Sequence, residues 1–403
     1  MDFYQGLVTN IHDFGGDIEA KRKCLVEMAE ERPISLVLPM LYREIEGKAL
    51  HKIVRDLNTC DYVSQVLIPL TAKNSSEYRN VLKFFDRLKL PHLVLWCNGK
   101  RVMGVLDNLT EEGIDVRNIL GKGRDTWIAL GVASLDSYAI ALHDADILTY
   151  TPDYPVKLLY PIIDPDLDFI FNKAYYARIG DGERRMYGRV LRLFLLPLLK
   201  ALQKKVRYQS RFLRYLRSFR YALSGEFALT SDLALNISIP GDWGLEIGIL
   251  TEVYRSAAVK RICQTDLGFH EHKHQKIGTS PSRGLLKMAG DIEKSLLRSL
   301  TEMEGIDISE AFLLSLQVLY RRLAQEDIYR YSADAQFNDI MYDRHMEESA
   351  VDTFSNAILK AGREYVKNPF GTIVPSWIRV TSAMPGIRNR LKEAALVDAD
   401  KLG

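Results

Sequence analysis

The stretch that most constrains the fold is Tyr138-Ala139-Ile140-Ala141-Leu142-His143-Asp144-Ala145-Asp146. Its apolar run shows no polar alternation, the pattern of a strand buried on both faces. It ends in two carboxylates separated by one residue. In a parallel sheet that ending puts acidic oxygens at the carboxyl edge, where ligands of open α/β sheets bind. Hard divalent cations take such oxygens together with phosphate oxygens. Asp144 and Asp146 are therefore candidates for the metal and diphosphate corner of a nucleotide-using site. A solvated turn at a strand end is the competing reading, and the rest of the chain decides between them.

Upstream, apolar runs at 34–39, 62–70 and 92–96 alternate with helical patterns at 44–57 and 75–88. Residues 109–120 lead into a helix after Lys122. The alternation predicts an α/β fold, a Rossmann-like, mostly parallel sheet with helices on both faces. Residues 1–32 read as a lead-in with a charged helix at 18–31. After 153 the pattern changes to an antiparallel strand at 167–177, helices at 188–203 and 244–258, and a strand from Cys263 entering a histidine-bearing loop. From 283 onward helices dominate, clearest at 285–303, 309–326 and 347–365. The expected division is a lead-in (1–32), a nucleotide-binding half (33–152), an acceptor-binding half (153–282) and a helical C-terminal tail (283–403).

With 403 residues, 47% of them hydrophobic, the chain can bury one large core or two modest ones. Its 54 basic and 52 acidic residues leave a net charge of +2, so no nucleic-acid or anionic-membrane partner is demanded. The basic, aromatic segment 204–221 is expected to be a solvated helix. Cys24, Cys60, Cys97 and Cys263 form no C-x-x-C pair and read as reduced thiols of a cytoplasmic protein. The most apolar stretch, 190–202, carries Arg192, Pro197 and Lys200 and is too short to span a bilayer.

Several residues could carry chemistry. Gly121-Lys122-Gly123 precedes a helix, so two glycines, a lysine and a helix N-terminus could meet a phosphate; a strand-to-helix turn with an exposed lysine is the bland alternative. Glu246 lies in an apolar run, where a carboxylate is costly unless paired or functional. Gly188-Arg189-Val190 opens an apolar helix at which arginine could hold an anionic acceptor. His270, His272 and His274 alternate, so one could donate to a metal held by Asp146. No G-x-S-x-G, G-x-G-x-x-G or nucleoside-triphosphatase P-loop is present.

Taken in order, these pieces resemble the glucosyl-3-phosphoglycerate synthases and their mannosyl relatives, retaining glycosyltransferases of the GT-A fold. The resemblance covers most of 34–275. It rests on Leu38-Pro39-Met40-Leu41 with Glu44, Gly121-Lys122-Gly123, Asp144-Ala145-Asp146, Lys173-Ala174-Tyr175-Tyr176-Ala177-Arg178 and Gly188-Arg189-Val190. It continues through Leu223-Ser224-Gly225-Glu226-Phe227, Trp243-Gly244-Leu245-Glu246-Ile247-Gly248 and Asp266-Leu267-Gly268. The resemblance implies a GT-A sheet with an acceptor-binding extension, a divalent metal (Mg²⁺ or Mn²⁺), a nucleotide diphosphate sugar donor and 3-phosphoglycerate or a similar small anionic acceptor. Pro39, Leu41, Glu44, Lys122, Asp144 and Asp146 would contact the donor. Asp146 and His272 would hold the metal. Gly188, Arg189, Val190 and His270 would meet the acceptor, while Glu246, Lys122 and Asp146 would carry the catalytic step. The sequence departs from the family at Tyr42-Arg43-Glu44, where Asn-Glu-Glu is usual, and at Leu191, where the family has threonine.

The expected reaction is transfer of glucose, with retention, from a nucleotide diphosphate sugar to 3-phosphoglycerate. Its enzymatic alternative is mannosyl transfer or a non-phosphorylated acceptor such as glycerate. A sugar-nucleotide binder without transfer activity would need a glycine-rich loop where Pro39-Met40-Leu41-Tyr42 stands. An interaction role for the helical tail stays open beside these. A homodimer is expected, and the aromatic residues Tyr329, Tyr331 and Phe337 could pack within the chain or across its interface.

Overall fold

The computed structural model describes residues 3–180, 184–271 and 284–402. The chain opens with β1 (Thr9–Ile11) and α1 (Ile18–Ala29), then β2 (Ile34–Val37), β3 (Met40–Leu41), a 3₁₀ turn at Tyr42–Glu46 and α2 (Lys48–Leu57). Next come β4 (Gln65–Thr71), α3 (Ser75–Phe85), β5 (His92–Trp96), α4 (Lys100–Glu111), α5 (Lys122–Ala133) and β6 (Ala139–Leu142). The second half holds α6 (Asp153–Ile163), β7 (Phe171–Ala177), a π-helical turn at Val190–Leu195, α7 (Leu196–Lys205), α8 (Arg211–Ser218), β8 (Phe227–Thr230), α9 (Ser231–Asn236), β9 (Ile239–Pro240), α10 (Leu245–Ser256) and β10 (Ile262–Phe269). The tail is α11 (Gly284–Glu304), α12 (Glu310–Phe337), α13 (Arg344–Lys367), β11 (Ile373–Val374), α14 (Trp377–Ala383) and α15 (Ile387–Leu402).

One sheet of nine strands runs in the order β1-β10-β7-β8-β6-β2-β4-β3, with β5 paired to β4. Only β8 is antiparallel to its neighbours, β6 and β7. The central strands β2 and β6 are buried along their whole length, as continuous apolar runs covered by helices must be. α2 shows how the cover forms: Leu50, Ile53, Val54 and Leu57 recur at helical spacing and all are buried. α3 starts where Asn74 accepts from the amides of Ser76 and Glu77, a cap that stabilises by about 1 kcal/mol.

Several boundaries differ from the sequence expectation. The run at 167–177 is a strand only from Phe171; it is antiparallel to β8, as expected, but parallel to β10, and lies inside the main sheet. Predicted helix 44–57 splits into a 3₁₀ turn and α2, because Gly47 adopts an extended conformation between them. Helix 188–203 begins as a π-helical turn. Residues 100–111 form a helix that the internal Gly104 and scattered polar residues obscure in the sequence.

The tail is not an appendage. Its buried residues belong to the same hydrophobic core as the sheet, including Leu296, Tyr320, Phe354, Trp377 and Leu391. Trp377 stacks on Trp127 of α5 at 4.0 Å between ring centroids, with 11° between planes. Each indole N–H donates to a backbone carbonyl: Trp377 to Trp127 and Trp127 to Pro375, both at 2.9 Å. Among the described residues no helix is long and apolar enough to cross a membrane.

Candidate active site

The carboxyl ends of β2, β4, β6, β7 and β10 lie on one edge of the sheet, and β8, running the other way, starts there. That edge forms the floor of a cavity of about 860 Å³, within the usual size range of small-molecule sites. Pro39, Leu41, Glu44, Lys122, Asp144, Asp146, Gly188, Arg189, Val190 and Glu246 all line it, which brings together every expected donor-contacting residue. They come from segments more than 200 residues apart.

Lys122 stands at the start of α5, half-enclosed. Its Nζ donates to Asp144 Oδ1 at 2.7 Å and to Glu246 Oε1 at 3.4 Å. Burial works against its charge, but Asp144 and Glu246 outweigh that and raise its pKa well above the ordinary lysine value. The lysine is thus a fixed cation clamped between β6 and α10, not the exposed turn residue of the bland reading. The glycines around it answer to packing. Gly121 has φ 145°, and a Cβ there would sit 2.7 Å from the carbonyl oxygen of Gly241. A Cβ on Gly123 would collide with the carbonyl oxygen of Pro240. Both glycines let α5 start against the β9 turn, and so set the height at which Lys122 enters the cavity.

Gly225 does the same on the other side of Asp144, since any Cβ there would overlap its carboxylate. The turn it belongs to is held from below: Lys173, fully buried, donates to the carbonyl of Ser224 at 2.8 Å. Desolvation lowers the Lys173 pKa to about 8. Glu226, also buried, accepts from the Tyr176 hydroxyl at 2.9 Å. Burial first, and the Asp144 charge next, push the Glu226 carboxyl up to about 7. Lys173 and Glu226 sit inside motifs quoted for the family resemblance. No role was expected of either, although a charged residue in an apolar run was the available signal.

Asp146 is raised to about 7 by burial and by the charges of Asp144 and Glu44, against the opposing pull of Lys122 and Arg178. Asp144 and Asp146 offer hard carboxylate oxygens of the kind divalent cations take. Among the described residues no group of three or more His, Cys, Asp or Glu side chains is placed to hold a metal ion. That suits an ion held through one or two carboxylates and completed by phosphate oxygens and water. His272, the expected second ligand, lies outside the described residues.

His270, expected at the acceptor, is not among the residues lining the cavity: it is 1% exposed, stacked on Tyr176 at 3.8 Å and 6°, with its Nδ1 3.3 Å from the Tyr154 hydroxyl. It stiffens the wall behind Tyr176, a cavity residue. The backbone explains the placement, because His270 N–H donates to the Ala177 carbonyl and extends the β10–β7 ladder inward.

The opposite ends of the cavity differ. One carries Thr71, whose hydroxyl donates to Asp125 at 2.6 Å, and Asp125 is paired with buried Arg124 at 2.8 Å. The other carries Arg178, Arg185 and Arg189 beside Tyr187 and Tyr221, with Leu285, Met288 and Met346 contributed by the tail. Leu191 is buried and lines this end. The sequence pointed to Arg189, with Arg184 or Arg185, as an anion contact; Arg178, just after β7, was not expected and lines the cavity as well.

No family model matches the chain. It is 50% identical over 398 residues to the glucosyl-3-phosphoglycerate synthase of Methanococcoides burtonii, covering 99% of this chain and 98% of that one. It is 40% identical to the glucosyl-3-phosphoglycerate synthase of Persephonella marina over 98% of both chains. The crystal structure of glucosyl-3-phosphoglycerate synthase from Mycobacterium tuberculosis in complex with Mn²⁺, UDP-glucose and phosphoglyceric acid shares the fold, with TM-score 0.52 at 21% identity over 72% of this chain and 87% of that one. Full-length identity at this level, together with a GT-A sheet that gathers the matching motifs into one cavity, makes this chain a member of the glucosyl-3-phosphoglycerate synthase family.

Proposed function

We propose that this chain transfers glucose, with retention of the α-configuration, from a nucleotide diphosphate glucose to the 2-hydroxyl of 3-phosphoglycerate. The observation that carries the assignment of roles is the Asp144–Lys122–Glu246 clamp in a single cavity with acidic oxygens on its floor and arginines at one end. Pro39, Leu41 and Glu44 bound the nucleoside side, and Arg189 with Gly188 and Val190 takes the acceptor's anionic groups. Lys122 keeps a full positive charge where negative charge develops as the glycosidic bond breaks. Glu246 spends one oxygen on Lys122, and its other oxygen carries no hydrogen bond among the described residues. That oxygen is available to orient a sugar or acceptor hydroxyl. Asp146 is the metal ligand, with His272 as the partner expected from the resemblance. A divalent ion bound there supplies Lewis-acid charge to the diphosphate. We place the enzyme in the cytoplasm, a reading supported by four free cysteines, three of them buried.

The test is nucleoside diphosphate release with Mg²⁺ or Mn²⁺, crossing UDP-glucose, GDP-glucose, ADP-glucose and GDP-mannose with 3-phosphoglycerate and glycerate. Glucose-donor turnover that requires 3-phosphoglycerate and is abolished by EDTA is the expected result. Turnover with glycerate alone would discard the phosphate pocket, a possibility raised by Leu191.

A further inference from the structure

The arginine-bearing loop that ends the cavity folds back on the residues after β7, where Gly180 N–H donates to the Arg185 carbonyl and Tyr187 N–H to the Arg178 carbonyl. It is stitched to the junction of α12 and α13, about 150 residues later in the chain. Met341 N–H donates to the Arg184 carbonyl at 2.9 Å, Arg184 Nη2 donates to the Asn338 carbonyl at 3.1 Å, and Arg185 pairs with Met341 as a parallel bridge. The stitching finishes on Arg189. Its Nε donates to Glu347 Oε1 at 2.8 Å and its Nη2 faces Met346 Sδ at 2.9 Å. The second carboxylate oxygen of Glu347 accepts from Arg192 Nη2 at 2.9 Å. Glu347 is 3% exposed and does not line the cavity, whereas Arg189 does.

We propose that Glu347 is the positioning residue for acceptor recognition: it fixes the guanidinium plane of Arg189 so that the fork meets the acceptor's anionic group. A guanidinium is planar, so holding Nε and Nη2 also sets the direction of Nη1, which makes no hydrogen bond among the described residues. Two guanidiniums share one carboxylate, which leaves an excess positive charge for an incoming phosphate or carboxylate. Leu191, beside Arg189 in the cavity lining, offers no hydroxyl to an anion, so the orientation of Arg189 carries more of the recognition. The helical tail therefore acts in substrate selection through one side chain.

This inference rests on the acceptor assignment above, and its test separates the two. Glu347→Gln keeps the shape but cannot accept from both arginines, since its amide nitrogen faces one of them as donor against donor. The expected result is a KM for 3-phosphoglycerate raised about tenfold or more, with donor KM and kcat within about twofold. Glu347→Asp, which retains the charge, should recover part of the loss and serves as the measurement if the glutamine variant does not fold. Equal acceptor KM in wild type and variant, or a loss shared by donor and acceptor, overturns the positioning role. Should the wild type show no turnover with 3-phosphoglycerate, the functional assignment fails by itself. Phenylglyoxal modification mapped by mass spectrometry then decides: faster reaction of Arg189 in Glu347→Gln upholds the restraint, and equal rates overturn it.

Discussion

The two ends of the cavity are built by different means. The wall proposed to face the donor is made of strand ends: Pro39, Leu41, Thr71, Asp144 and Asp146 end or follow strands locked in parallel ladders, and each is placed within a few residues of a fully paired backbone. The wall proposed to face the acceptor is a loop, 184–189, positioned by a pair of backbone bonds to Arg178 and Gly180 and by contacts to Asn338, Met341, Met346 and Glu347. A sheet edge is set by many cooperative backbone hydrogen bonds, whereas a stitched loop depends on a few contacts, each contributing about 1 kcal/mol net. The strand-end wall is thereby set by many backbone bonds, whereas the loop at the other end is open to tuning through a few side chains.

The comparison breaks most visibly at the floor. Asp146→Ala should lower kcat by about 10³-fold or more, because it removes a carboxylate aimed at the diphosphate and metal corner. Mg²⁺-supported turnover close to wild type would move the metal site elsewhere. The next effect is on stability alone. Trp377→Ala removes an indole stacked on Trp127 far from the cavity and should destabilise the fold by about 3–5 kcal/mol. Denaturant unfolding reads this, and turnover per folded molecule should not change. A collapse of activity in the folded fraction would mean that the tail couples to the donor wall as well.

A sharper contrast comes from Arg189→Lys, which keeps the charge and loses the fork. The KM for 3-phosphoglycerate should rise about 10–100-fold while donor KM stays near wild type; equal rises in both would erase the distinction between the two ends. The smallest effect concerns pH. Asp146 and Glu226 titrate at about 7 in the folded chain, above the ordinary 3.8 and 4.5. Raised carboxyl values favour the folded state fully below about pH 4, and this contribution is lost as pH rises through 7. In EDTA the melting temperature should therefore fall by a few degrees, roughly 2–4 °C, from pH 5.5 to pH 8, with Mn²⁺ recovering part of it at pH 8. A flat profile would show that both carboxylates titrate normally.

The sequence alone was enough for the sheet and for most of the donor wall. Continuous apolar runs such as Ile140-Ala141-Leu142 specify strands buried on both faces, and helical periodicity between them requires parallel crossovers, so the residues after each strand land on one edge. Asp144 and Asp146 were legible for that reason, whereas Pro39 was marked as a site residue only by the family resemblance. Short elements were not: β1 and β8, of three and four residues, are held by their partners rather than by their own propensity.

Tertiary structure alone decided three things. It turned His270 inward, because the β10–β7 ladder continues past Phe269. It made the flanking glycines of Lys122 a packing requirement against Pro240 and Gly241, a contact between segments nearly 120 residues apart. It brought Glu347 to Arg189. Periodicity and motif spacing report on neighbours along the chain, while a carboxylate meeting a guanidinium 158 residues away depends on how complete helices pack, and no local pattern encodes that.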